Sequence, residues 1–200
     1  MDANENDNLA DPTLTGHKYN KKWAKFCKLM MESNALDILF HCSMAPTSSN
    51  LGSIPTSESK SDIALLRDGA ASSLMYISAE FKGEVHKNQL NFLIHLLACE
   101  SRPSVQLSAA ASIWFCARNQ VNRRLIGKLN GCSRLLSVLD SISKGTLAKT
   151  HTSRKKLENV DDGWTEHLEK HLKSWIGLSL WLLSCDNHNA VLITEKKVSE

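Results

Sequence analysis

Two stretches of this 200-residue chain lie over one another without a gap. Ser112-Ile-Trp-Phe-Cys-Ala-Arg-Asn-Gln-Val-Asn-Arg-Arg-Leu-Ile126 matches Ser179-Leu-Trp-Leu-Leu-Ser-Cys-Asp-Asn-His-Asn-Ala-Val-Leu-Ile193 at Ser112/Ser179, Trp114/Trp181, Asn122/Asn189, Leu125/Leu192 and Ile126/Ile193. The offset of 67 residues exceeds the roughly 40 to 47 residues of a helical repeat unit. The excess is about the length of the polar stretch 144–162 (KGTLAKTHTSRKKLENVDD), which reads as an inserted loop, basic first and acidic last. An earlier copy is fainter: Ala70-Ala-Ser-Ser-Leu-Met-Tyr76 followed by Leu93-Ile-His-Leu-Leu97 mirrors Ala109-Ala-Ala-Ser-Ile-Trp-Phe115 followed by Leu135-Leu-Ser-Val-Leu139. A unit that recurs in this way cannot cover its own apolar face and must stack on its neighbours.

Every apolar segment has helical spacing. Trp23, Phe26, Cys27, Met30 and Met31 form one stripe and Ala35, Leu36, Leu39 and Phe40 begin another, which predicts two helices broken at Ser33-Asn34. Further helices are expected at about 62–81, 85–99, 104–118, 120–129, 132–143 and 163–185, and again from Asn189. Nowhere do β-branched and polar residues alternate between turn dipeptides, so no strand is expected. The predicted organisation is a disordered tail over 1–19, an N-terminal helical cap or partial repeat over 20–44, a Ser/Pro/Gly-rich linker loop over 45–61, and repeats over 62–200 carrying the 144–162 insertion.

Within the clearest unit, Ala109, Ala110, Ile113, Cys116 and Ala117 form a stripe of small side chains that permits close helix approach. Leu135, Leu136, Val138, Leu139 and Ile142 form a bulkier stripe to fill the space behind it. Asn119 and Asp186, equivalent by the same offset, are placed to cap the short helices that follow them. Chain length and 42% apolar residues suffice for a buried core. The longest apolar runs, near 90–99 and 175–185, are about half of what a membrane-spanning helix needs.

The run from Val105 to Ile126, continued through Leu135–Leu139, resembles the armadillo repeat consensus: a small-residue helix, then Asn-basic-x-x-Ile, then a Leu-rich helix entered through a glycine. Asn130 stands where the family has that glycine, and Asn34 sits likewise; Asn tolerates the left-handed backbone such a helix junction demands. The resemblance covers about 20–44 and 62–200 and implies an all-α, right-handed α-solenoid of armadillo/HEAT-like repeats. It further implies a protein-interaction scaffold or adaptor that binds a protein segment along its concave surface, and no enzyme activity. The last helix ends where another Leu-rich helix is due, so the expectation is an end covered by a partner or a terminal helix bent into a cap.

In the nuclear-signal-binding members of the family, a Trp and an Asn four residues apart clamp an extended basic peptide. The corresponding pairs here are Ala111 with Phe115 and Leu178 with Leu182, so that clamp is missing. The partner-binding residues expected are Trp114, Phe115, Arg118, Asn122, Arg123, Trp181 and Asn189, with Trp114 and Trp181 equally readable as packing between repeats. An apolar groove favours an amphipathic helix as the occupant.

Other chemistries find little support. A net charge of +3 does not mark a nucleic-acid binder, although Arg123, Arg124, Lys128, Lys144, Lys149, Arg154, Lys155 and Lys156 leave open an RNA- or membrane-associated repeat. Ser153 beside Arg154 is a conceivable phosphate acceptor. Six cysteines without a CxxC pair, set in apolar helices, read as free buried thiols. His167 and His171 stand four apart, but the HExxH pattern fails because Leu168 follows His167, which favours a solvated helix face. Nucleotide and nucleophile motifs are absent, so neither cofactor nor metal is expected. With a polar, acidic start in place of a signal peptide, the expected location is cytoplasmic or nuclear.

Overall fold

The computed structural model describes residues 21–33, 35–43, 57–98, 103–144 and 162–198, and among them all regular structure is helical. The helices are α1 (Lys21–Glu32), α2 (Ala35–Ser43), α3 (Ser57–Glu80), α4 (Lys87–Leu97), α5 (Pro103–Ala117), α6 (Gln120–Lys128), α7 (Gly131–Ser143), α8 (Asp162–Ser184) and α9 (Asn187–Val198). The tail 1–19, most of the 45–61 linker, Asn34, Cys99 and nearly all of the 144–162 insertion lie outside the described residues. One boundary is corrected. α3 starts at Ser57, inside the expected linker, because Ser57-Glu-Ser-Lys60 lacks an apolar stripe yet contains residues that extend a helix at little cost.

The helices pack in rows. α3 lies on α5 and α5 on α8; α2 lies on α4 and α4 on α7; the short α6 lies on α9. α1 joins α2 and α3 at one end. These rows place the three sequence copies next to each other. α5 is their centre, and it is buried more completely than a single stripe predicts: Val105, Gln106, Ser108 to Ile113, Cys116 and Ala117 are all buried. The run of Ala109, Ala110, Ala111 and Ser112 presents small side chains in every direction, which suits a helix enclosed by α3, α4, α6 and α8. Of the bulky stripe of α7, Leu135, Val138 and Ile142 are buried, whereas Leu136 and Leu139 are half-buried. At the N-terminal end Phe40 of α2 stacks on Phe92 of α4 at 5.0 Å.

Polar side chains stitch neighbouring copies together. Asn122 is 1% exposed. Its Nδ2 donates to the carbonyls of Gly83 (3.0 Å) and Cys116 (3.0 Å), and its Oδ1 accepts from the Val85 N–H (2.9 Å). One side chain thus satisfies three backbone groups, two of them in the α3–α4 connection, where no regular ladder is available. Asn189, its equivalent, is also fully buried and donates to the Arg123 carbonyl at 2.9 Å. Ser179 of α8 donates to the Ala110 carbonyl of α5 (3.1 Å), Ser104 of α5 to Asp68 of α3 (2.7 Å), and Gln106 to the Leu97 carbonyl at the end of α4 (2.9 Å).

Two positions depend on close approach. Asn130 adopts φ 62°, ψ 22°, as its place in the repeat predicts, and Gly131 after it sits so near Ile126 that a Cβ would lie 2.8 Å from the Ile126 carbonyl oxygen. At Gly127 a Cβ would lie 1.7 Å from Asn189 Oδ1, so the α6–α9 contact needs glycine there.

Five of the six cysteines are described, all as free thiols. Cys27, Cys116 and Cys132 are buried, and burial pushes their thiols up to about 11, 12 and 11. Cys185 departs from expectation by being exposed, since it lies in the turn between α8 and α9 and not inside an apolar helix.

Two outcomes follow. Asn122→Ala strands three backbone groups and should cost about 3 kcal/mol in urea unfolding, whereas Asn189→Ala, which removes the bond to the Arg123 carbonyl, should cost about 1 kcal/mol; equal losses would contradict the assigned roles. With a neutral maleimide at pH 7.5, Cys185 should react first, and Cys27, Cys116 and Cys132 only after denaturation.

Candidate functional site

The surface along α3, α5 and α8 collects most of the residues that the sequence singles out. Trp114 and Phe115 project together from the second half of α5, and both are half-buried. Trp175, from α8, completes an aromatic cluster: ring centroids lie 5.4 Å from Trp114 to Trp175, 5.7 Å from Phe115 to Trp175 and 4.9 Å from Trp114 to Phe115, all tilted or edge-on. Sequence reasoning passed over Trp175. Its signal was there, since it stands one helical turn before Leu178 and Ser179, but no copy of it exists in the other units.

Arg118 lies beside the cluster with its guanidinium carbon 5.0 Å from the Phe115 ring centre and 5.8 Å from that of Trp114. Its Nε donates to the Phe115 carbonyl at 3.2 Å and one terminal nitrogen donates to the Ala79 carbonyl of α3. The cation therefore ties α5 to the end of α3 while one face stays on the aromatic rings. The Trp114 indole N–H is buried and has no acceptor among the described residues, so its ring contacts and the Arg118 guanidinium hold it in place of a hydrogen bond.

Equivalent positions carry this apolar surface onward. Tyr76 of α3, Phe115 of α5 and Leu182 of α8 share one register, and Tyr76 is 48% exposed. Trp114 and Trp181 share another, but their surroundings differ: Trp114 is covered by Trp175, whereas Trp181 is 65% exposed. Likewise Ala111 is fully buried and Leu178 is 43% exposed. The reason is position in the row. α8 covers α5, and among the described residues no helix covers α8 on the corresponding side.

The remaining expected partner-binding residues are placed elsewhere. Asn122 and Asn189 are buried and bonded to backbone, and so belong to the internal stitching. Arg123 sends Nη1 to the carbonyls of Ala117 (3.0 Å) and Arg118 (3.2 Å), closing the C-terminal end of α5. Arg124 pairs with Asp186 at 3.1 Å and Lys144 with Asp140 at 2.7 Å. The basic group thus divides between separate internal partners, and its Lys149 to Lys156 portion lies outside the described residues.

Asn119 caps α6 as expected, its Oδ1 accepting from the N–H groups of Val121 (2.9 Å) and Asn122 (3.3 Å). Asp186 does the same for α9, accepting from His188 N–H at 3.2 Å. Burial pushes the Asp186 carboxyl up, but the hydrogen bond and charge of Arg124 with the Asn189 and His188 N–H groups outweigh it and hold the carboxyl below its ordinary value. A shallow polar recess beside this pair is lined by Gln120, Arg124, Cys185, Asp186, Asn187 and His188.

Comparison with known proteins finds no matching family model, no matching curated protein and no matching solved structure. Among the described residues no helix is long and apolar enough to cross a membrane.

The lowered Asp186 carboxyl gives a pH prediction. Its stabilisation is present above the unfolded value of about 3.9 and is lost as pH falls through the lower folded value. The gap in Tm between wild type and Asp186→Asn should be largest near pH 6 and close as pH drops below about 4. A gap of constant size down to pH 2.5 would refute the assignment.

Proposed function

We propose that this chain is a protein-binding scaffold of the armadillo type, a right-handed stack of helical layers that uses the row α3, α5, α8 to hold a segment of a partner protein. The carrying observation is the recurrence of large apolar side chains at equivalent, incompletely buried positions along that row: Tyr76, Phe115 and Leu182 in one register, Trp114 and Trp181 in the other. A core demands burial of such groups, and a solvated helix face would carry charge in their place. Half-exposed aromatics bordered by an arginine are the usual anchors of protein interfaces.

The chemistry of the row also narrows the ligand. The family's polar clamp is replaced by Ala111/Phe115 and Leu178/Leu182, so the surface offers area and aromatic faces in place of amide hydrogen bonds. An amphipathic helix suits it better than an extended basic peptide, because such a helix presents apolar residues every three or four positions and needs no backbone pairing from its host. Arg118, exposed and seated on the rings, then favours a partner helix with a carboxylate near its apolar stripe. On this reading the protein is a binding module and not an enzyme, acting in the cytoplasm or nucleus.

Selection of a random peptide library on the immobilised full chain tests this. Enriched peptides should carry apolar residues at i, i+3/i+4 and i+7, and Tyr76→Ala, Phe115→Ala and Trp181→Ala should each weaken the best binder at least tenfold, about 1.4 kcal/mol. Enrichment of Lys/Arg-rich extended sequences, or binding indifferent to all three substitutions, would overturn the proposal. Steep loss of binding with salt would instead favour an electrostatic partner such as RNA.

A further inference from the structure

On the exposed face of α8, His167 and His171 stand one turn apart with their Nε2 atoms 3.2 Å from each other. The ring centroids are 4.3 Å apart and the planes inclined at 51°, so the imidazoles converge at their tips and are not stacked face to face. Two neutral rings can share this distance in only one way without metal: one Nε2 carries a hydrogen and donates it to the lone pair of the other. A metal ion bound by both rings would replace that hydrogen as the bridge between the two nitrogens.

The spacing fits a chelate. Metal–nitrogen bonds of about 2.0 to 2.1 Å put two imidazole nitrogens roughly 3.0 Å apart at a right angle and roughly 3.4 Å apart at a tetrahedral one. The observed 3.2 Å lies between these limits. The rings need only turn slightly about their own side-chain bonds to aim both nitrogens at one point, since their centroids are 4.3 Å apart. On metal binding the donor ring moves its hydrogen from Nε2 to Nδ1 by exchange with solvent, so that both rings carry their hydrogen on Nδ1 and both Nε2 lone pairs are available to the ion. The backbone supports the pair, because residues four apart on a helix are held at this separation once the helix is formed, and α8 is anchored on α5 and α7.

We propose that His167 and His171 form a two-histidine chelate for a divalent transition-metal ion of the Cu2+, Ni2+ and Zn2+ class. Imidazole nitrogen selects these over Mg2+ and Ca2+, which prefer oxygen. Among the described residues no group of three potential ligands converges, and His167 and His171 supply the two donors of the proposed site.

Calorimetric titration of the full chain with Ni2+ provides the test, in a Cys185→Ser background that removes the exposed thiol. His167→Ala and His171→Ala should each weaken one Ni2+ equivalent at least tenfold, while His95→Ala and His188→Ala leave it unchanged. Both sites are exposed on a helix and alanine is the best helix former, so the folded chain should survive, which circular dichroism checks. Saturating Ni2+ should raise Tm in the parent protein and in neither chelate variant, since only the folded helix brings the rings together. Cu2+ should bind more tightly than Ni2+, and Ni2+ more tightly than Co2+. Unchanged Ni2+ affinity in His167→Ala or His171→Ala would overturn the proposal, as would an equal loss in His188→Ala.

Discussion

Enclosing α5 is the constraint from which the other contacts follow. A helix with neighbours on nearly every side must keep its side chains small, or the surrounding helices cannot approach; Ala109, Ala110, Ala111 and Ser112 supply that, and Ile113 fills what remains. Because α5 is covered by α3 on one side and by α8 on another, the three copies of the unit are brought into register. Deleting apolar volume from this helix would loosen both contacts at once.

Close packing leaves the connections between helices short of backbone partners, and the asparagines supply them. Asn122 serves the α3–α4 connection and the end of α5 together, so it holds two copies in one fixed relation. Arg118 and Arg123 close the carbonyls at the end of α5, and Gly127 and Gly131 remove the side chains that would hold the layers apart. These polar and glycine positions fix how the helix ends and connections meet, whereas the apolar residues supply most of the driving force.

Groups that are covered on α5 are exposed at the equivalent positions of α8. Trp114 and Trp181 occupy the same place in the repeat and differ because only the first has a following helix against it. Recurrence of the sequence unit therefore places similar apolar groups both in the core and on the surface, covered on α5 and exposed on α8. That relation links packing to the proposed binding role, and it explains why large apolar groups persist outside the core of a chain with only 42% apolar residues.

Much of the local structure was legible beforehand. Spacing of apolar residues located the helices, the 67-residue offset paired Asn122 with Asn189 and Asn119 with Asp186, and the glycine-like place of Asn130 anticipated its left-handed backbone, because these depend on neighbours within a few residues. Burial around α5, the contribution of Trp175, the internal roles of Asn122, Asn189 and Arg123, and the exposure of Cys185 were not legible, and the true start of α3 was hidden by its polar first turn. Each of these is set by which helix lies against which, across separations of tens of residues. A sequence states what a side chain is able to do, and only the packed neighbours decide whether it seals a layer, bonds a stranded carbonyl or faces water.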